Sequence, residues 1–100
     1  MIAKQTRFVL QAERFSHQDA VRIYREALLR TRRARTVIID LGRVKEATTS
    51  AFARLVLLRR ALRQMGCDLL IIGLRGKAAL LYEVNRLAAV LPSDYLLPAT

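Results

Sequence analysis

Apolar runs of strand type alternate along this chain with stretches of helical period. Arg7 to Gln11 (Arg-Phe-Val-Leu-Gln) is rich in strand formers and can extend through Ala12. Phe15-Ser16-His17-Gln18-Asp19 then changes character. Ser16 and Asp19 have the spacing of a capping box in its acidic variant, and Phe15 is placed to staple the entry. From Ala20 to Thr31, the residues Ala20, Ile23, Tyr24, Ala27, Leu28 and Thr31 fall on one helical stripe. Arg22, Arg25, Glu26 and Arg33 fall largely outside it, which predicts a surface helix covering a sheet. The basic run from Arg30 to Arg35 ends that helix, and cations in a last turn complement the helix dipole. It reads as a charged helix end more than as a site for phosphate or an acidic partner.

Val37 to Leu41 form a β-branched apolar run bounded by polar residues, which suits a strand covered on both faces. Thr48, Thr49 and Ser50 follow a short loop and offer hydroxyls to the free N–H groups of a first helical turn. In the helix behind them Phe52, Leu55, Val56, Leu58, Leu62 and Met65 make a broad apolar face, widened by Leu57 and Ala61. Arg54, Arg59, Arg60 and Arg63 project elsewhere, and Gly66 stands where a C′ glycine belongs. So wide a face predicts deep packing or an additional contact with a partner. Cys67 to Leu74 is a second buried strand, giving a βαβ unit that requires parallel pairing. Arg75-Gly76-Lys77 reads as a turn, and a third helix is expected from Ala78 to about Val90, ended by Pro92. Tyr95 to Leu97 can add a short edge strand. The pattern predicts an α/β fold in one domain over residues 1–100, a small sheet with helices packed on it.

Composition adds a strong field. The formal net charge is +10, and only Lys4, Lys45 and Lys77 among the eighteen basic residues are lysines. Such a field favours acidic partners, nucleic acid or an anionic surface, although an Ala-, Leu- and Arg-rich chain also arises from genomic coding bias. Nucleic acid is disfavoured, because the arginines are spread over helices and turns without an aromatic platform or recognition-helix motif. No apolar run approaches the ~18 residues of a membrane span, and the first residues lack an apolar signal core. The single cysteine, Cys67, excludes an intramolecular disulfide and cannot alone make a zinc site. A reducing cytoplasm is the expected compartment.

Catalytic constellations are missing. His17 is the one histidine, so neither a Ser/His/Asp triad nor a histidine metal cluster can assemble, and it is expected at a helix start. Asp40 ends a strand and is expected to bond loop N–H groups, while Glu46 is expected to face solvent. Gly73-Leu-Arg-Gly76-Lys77 has neither the dinucleotide-binding nor the P-loop spacing. No catalytic residue, cofactor or metal is expected.

Asp40-Leu41-Gly-Arg-Val44, followed by Ala47-Thr48-Thr49-Ser50-Ala51-Phe52, resembles the central signature of STAS domains, the family of bacterial anti-sigma factor antagonists. The family pattern there is Asp-Leu-x-x-Val, three further residues, Asp-Ser-Ser-Gly-Leu, then a helix ending at Gly. The spacing from Asp40 through Gly66 fits without a gap, and the second buried strand, its helix and the close from Leu87 to Pro92 also match. The resemblance implies a STAS-like fold, a mixed β-sheet with helices on it. It also implies a non-enzymatic protein–protein interaction module in signal transduction and transcription regulation. Its partner would be an anti-sigma factor or switch kinase, docked through the Thr48–Ala51 loop and the following helix.

In such antagonists the second serine of Asp-Ser-Ser-Gly accepts phosphate, which by position is Ser50 here, with Thr49 as the neighbouring hydroxyl. Thr48 replaces the family's acid and Ala51 its glycine. The implied interface is therefore Thr48, Thr49, Ser50 and Ala51, with Arg54 one turn on as a phosphate neighbour. An alternative also follows from the resemblance. Some STAS domains carry threonine at the position of Thr49, close on Leu-Pro as in Leu91-Pro92, and bind the ATPase subunit of a phospholipid-transporting ABC system.

Overall fold

The fold is described from a computed structural model covering residues 5–31 and 35–94. Three parallel strands form its centre: β1 (Gln5–Val9), β3 (Thr36–Asp40) and β5 (Asp68–Ile72), in the spatial order β1-β3-β5. Their register aligns Thr6 with Val37 and Leu69, and Phe8 with Ile39 and Ile71. These pairs point to one face and are buried there, as the period-2 geometry of a strand requires. The chain after the helices returns to the sheet at Ser93, which bridges Ile71 in parallel. Every strand pairing among the described residues is parallel.

Helices α1 (His17–Arg30) and α2 (Thr49–Gln64) carry the crossovers and pack on each other. Parallel strands in sequential order, joined by right-handed crossovers, place both helices on one face of the sheet. The order does not reverse among these strands, so the sheet has no switch-point crevice of the kind doubly wound folds use for ligands. The other face is less covered than the apolar runs suggest. Ile38 is buried, but Leu70 and Ile72 are half-buried and Val9 is 43% exposed. The expectation of burial on both faces therefore holds for β3 alone.

The helix boundaries follow their capping chemistry. Ser16 accepts a hydrogen bond from Asp19 N while Asp19 accepts from Ser16 N at 3.0 Å, completing the capping box. Phe15 lies in the core beside it. At the far end of α2, Gly66 N–H bonds to Arg63 O and Cys67 N–H to Leu62 O, with Gly66 at φ +76°. This is a Schellman stop, and the left-handed backbone there favours glycine. The inward stripe of α2 is Ala51, Phe52, Leu55, Leu58 and Leu62. Leu57 lies off it and is 44% exposed, so it does not widen the core face.

The third helix is shorter than its apolar run. α3 spans Gly76–Val84, beginning inside the expected Arg75–Lys77 turn. Arg86 then adopts a left-handed conformation, φ 53° and ψ 42°, and Leu87–Ala89 form a separate 3-10 turn. The break precedes Pro92, so the proline does not end the helix. The expected strand at Tyr95–Leu97, and Arg32 and Arg33 of the basic run, lie outside the described residues.

Candidate functional site

The hydroxyl-rich loop is mounted on a two-stranded ribbon. β2 (Arg14–Phe15) pairs in parallel with β4 (Glu46–Ala47), and Thr48 N–H bonds to Phe15 O at 3.2 Å. Glu13 O accepts from both Lys45 N and Glu46 N, at 2.7 and 3.1 Å, so the chain enters the loop pinned at three points. Beneath it runs an aromatic chain: Phe15 meets Phe52 edge-on at 6.0 Å between ring centroids, and Phe52 meets Tyr82 at 6.4 Å. The loop therefore stands on packed rings from β2, α2 and α3, a platform with little freedom to repack.

Thr48 is the N-cap of α2. Its Oγ1 accepts from Ala51 N at 3.1 Å and lies 3.2 Å from Ser50 Oγ, so the two hydroxyls share a hydrogen bond. Thr49 and Ser50 are exposed at the first two helical positions. The first turn contains no acidic residue, so no carboxylate offsets the positive end of the helix dipole. Ala51 departs from its expected place in the interface. It is fully buried, and its methyl sits on the inward stripe with Leu55, Leu58 and Leu62. That spacing is legible in the chain as i, i+4, i+7 and i+11.

Arg54 is half-buried, and its guanidinium lies 5.5 Å from the centre of the Tyr24 ring on α1. It makes no ion pair among the described residues. Such a contact is worth about 0.5–1 kcal/mol at an exposed site, less than a charge-assisted bond to an arriving anion.

The remaining chemistry-bearing residues have structural duties. Asp40 Oδ1 accepts from Gly42 N at 2.9 Å, and Arg7 lies 3.9 Å from its other oxygen. Glu46 is exposed and pairs with Lys77 at 3.1 Å; His17 is exposed in the first turn of α1. Burial works against the charge on Asp68, yet Arg59, the Leu69 N–H and Arg63 together hold its carboxyl below the usual range. Arg59 Nε donates to Asp68 Oδ1 at 2.8 Å, and Arg59 Nη1 to Val90 O at 3.2 Å.

Two surface features were not singled out from the residues alone. One is an open cleft of about 500 Å³ between the β3–β4 loop and the start of α3, lined by Val44, Lys45, Arg75 and Lys77 among others. Both lysines already pair with carboxylates, Lys45 with Glu13 and Lys77 with Glu46, each at 3.1 Å, so its field is largely offset. The other is a groove along α2, bounded by the 3-10 turn. Its components are distant in the chain, so no local motif announces it.

Among the described residues no three His, Cys, Asp or Glu side chains gather to hold a metal ion. No helix there is long and apolar enough to cross a membrane. The chain matches no family model, no curated protein and no solved structure.

Proposed function

We propose that this protein is a STAS-like, non-enzymatic docking module of the anti-sigma factor antagonist type. Its partner is an anti-sigma factor or switch kinase, engaged in the cytoplasm through the loop at Thr48–Ser50 and the exposed side of α2. The observation that carries this reading is the pair of exposed hydroxyls, Thr49 and Ser50, at a capped helix start with no acid in its first turn. The Asp40-to-Gly66 spacing supports it. Ala51 serves the core under the loop instead of the contact itself.

Phosphate on Ser50 would bring about −1.5 to −2 charges at neutral pH. The free N–H groups and the dipole of α2 favour an anion there, and Arg54, one turn away, has no ion-pair partner among the described residues. The domain would tolerate the charge, whereas an acidic or apolar partner face would be repelled, giving a switch with little refolding. The test is a pull-down with candidate kinases encoded beside the gene, comparing wild type with Ser50→Asp and Thr49→Asp. Reduced recovery of the partner by either variant is expected. Equal recovery by all three would remove the loop from the contact.

A second reading is an accessory subunit that binds the ATPase of a phospholipid-transporting ABC system. It is supported by Thr49 being exposed at the helix start and by the buried Leu91 before Pro92. Neighbouring permease and ATPase genes would favour this reading, and sigma-factor or kinase genes the first.

A further inference from the structure

The outward side of α2 carries a stripe that starts at the hydroxyl loop and runs along the helix, with Val56 half-buried at the edge of the core. Thr49, Ala53, Val56, Arg60 and Arg63 recur at i, i+4, i+7, i+11 and i+14, so they share one helical face. Two adjoining clefts follow that stripe and meet at Val56. The first, about 260 Å³, lies between α2 and Asn85 and Leu87, and is mostly apolar. The second, about 250 Å³, lies between α2 and Ala89 and Val90, and contains Arg59, Arg60 and Arg63. Together they form one groove, apolar toward the loop and cationic toward the end of α2.

The second wall exists because the chain turns back at Arg86. Its left-handed backbone ends α3 and brings Leu87–Val90 beside α2. Arg59 pins that wall by donating to Val90 O, and the Tyr82 hydroxyl holds the next residue, Leu91. The groove is therefore braced from both sides. Its apolar surface is open at Val90, which is 40% exposed, while Val56 and Leu87 are half-buried.

Charge decides what fits. No acidic residue lines either cleft. Asp68, just beyond, is shared by Arg59 and Arg63, and Arg60 has no ion-pair partner among the described residues. One carboxylate thus faces three guanidinium groups, leaving an excess of positive charge at one end of an apolar trough. At ~1.5 Å per residue, α2 from Thr49 to Arg63 is about 21 Å long, room for roughly four turns of a second helix.

We infer that this groove receives an amphipathic, acidic helical segment of a partner protein, its apolar side against Val56, Leu87 and Val90 and its carboxylates against Arg60 and Arg63. This rests on the reading of the chain as a docking module and names the chemistry of what docks. Helix-in-groove recognition of this kind takes its affinity from apolar anchors and its orientation from the charged end.

The test uses the full chain and a fluorescein-labelled synthetic helix of about 16 residues, with leucines on one face and glutamates on its flanks. The comparison peptides carry lysine for every glutamate, or serine for every leucine. Anisotropy should show binding of the acidic amphipath alone. Val56→Asp and Arg60→Glu should each weaken it about tenfold or more, while Arg25→Glu on α1, the same charge change outside the groove, stays within about twofold. Amide shifts of the unmutated protein should concentrate at Val56, Leu87 and Val90, which keeps the test independent of how any variant folds.

Equal weakening by Arg60→Glu and Arg25→Glu would overturn the proposal, since the overall field would then explain the binding. So would shifts centred on the Lys45–Lys77 cleft, failure of the acidic amphipath to bind, or retention on phosphatidylglycerol vesicles without peptide binding. Ser50 lines neither cleft, so Ser50→Asp reports on the hydroxyl contact alone, whereas Thr49 belongs to both surfaces. Failure there and failure of the groove are therefore separable.

Discussion

The Tyr82 hydroxyl donates a 2.6 Å hydrogen bond to the buried Leu91 carbonyl oxygen, tying α3 to the segment that follows the 3-10 turn. One residue later Pro92 O accepts from Ile71 N, so the same tie seats the returning chain against β5. Removing the donor strands a buried acceptor, and Tyr82→Phe should cost about 1–3 kcal/mol in denaturant titration. Burial also pushes the phenol's pKa up from 10.0. The folded state then binds the proton more tightly than the unfolded one, so this contribution is complete below about pH 10 and declines as pH rises above it. Tyr82→Phe should flatten that alkaline decline.

Of the four glycines, Gly73 leaves the least room for a side chain. It has φ +77°, and a Cβ there would lie 2.7 Å from Gly42 N and 2.8 Å from Gly42 Cα. Backbone cannot yield as a flexible side chain does, and the left-handed region adds roughly 1–2 kcal/mol for an L-residue. Gly73→Ala should therefore lower stability by more than about 2 kcal/mol, measured from the urea midpoint.

Thr48 tests what the loop hydroxyl does for the helix before any partner is considered. Thr48→Ala removes the acceptor for Ala51 N and should cost about 1 kcal/mol. Thr48→Asp keeps an N-cap acceptor and adds negative charge at the positive end of α2, so thermal unfolding should show equal or greater stability than wild type. Unchanged stability of Thr48→Ala would mean that the cap bond contributes nothing measurable.

Acid should weaken the fold through two carboxylates. Burial disfavours the charge on both, but Ser16 and Arg22 around Asp19, and Arg59, Leu69 N–H and Arg63 around Asp68, hold each below its ordinary value of 3.8. The unfolded state therefore binds more protons over this range. The stabilisation is fully present above about pH 4 and is lost as pH falls through the depressed folded values. Asp68→Asn should reduce the slope of the acid limb. An unchanged slope would show that Asp68 titrates alike in both states.

Arg86 separates backbone cost from charge. At φ 53° it pays the left-handed penalty of an L-residue, so Arg86→Gly should be neutral or stabilising by up to about 1 kcal/mol. Arg86→Val places a β-branched side chain in the same backbone and should destabilise by about 1–2 kcal/mol. Both remove the same charge, so their difference reports the backbone alone.

Much of this was readable from local pattern. The Ser16–Asp19 box, the Gly66 stop and the alternation of strands and helices each depend on residues within a few positions of one another. The hydroxyl loop was equally legible as a helix start. Its burial was less so: Ala51 belongs to the stripe continued by Leu55 and Leu58, and a motif read by position takes no account of which way each side chain turns. The break at Arg86 had only a weak local signal: the polar pair Asn85-Arg86 interrupts the apolar run, but neither glycine nor asparagine stands at the left-handed position itself.

The sequence by itself determined the α/β order, the caps of α1 and α2 and the loop's place between the strand at Val37–Leu41 and α2, because these follow from spacing, capping and hydrogen-bonding rules within short segments. The short β2–β4 pair was not among them. Only the tertiary structure decided that Arg54 rests on Tyr24, that Asp68 is shared by two arginines, and that Leu87–Val90 fold back along α2 to make a groove. The first and last of these join residues far apart in the chain, and the second spans the turn from α2 into β5. They are set by packing and by where the backbone can turn, which no local window contains.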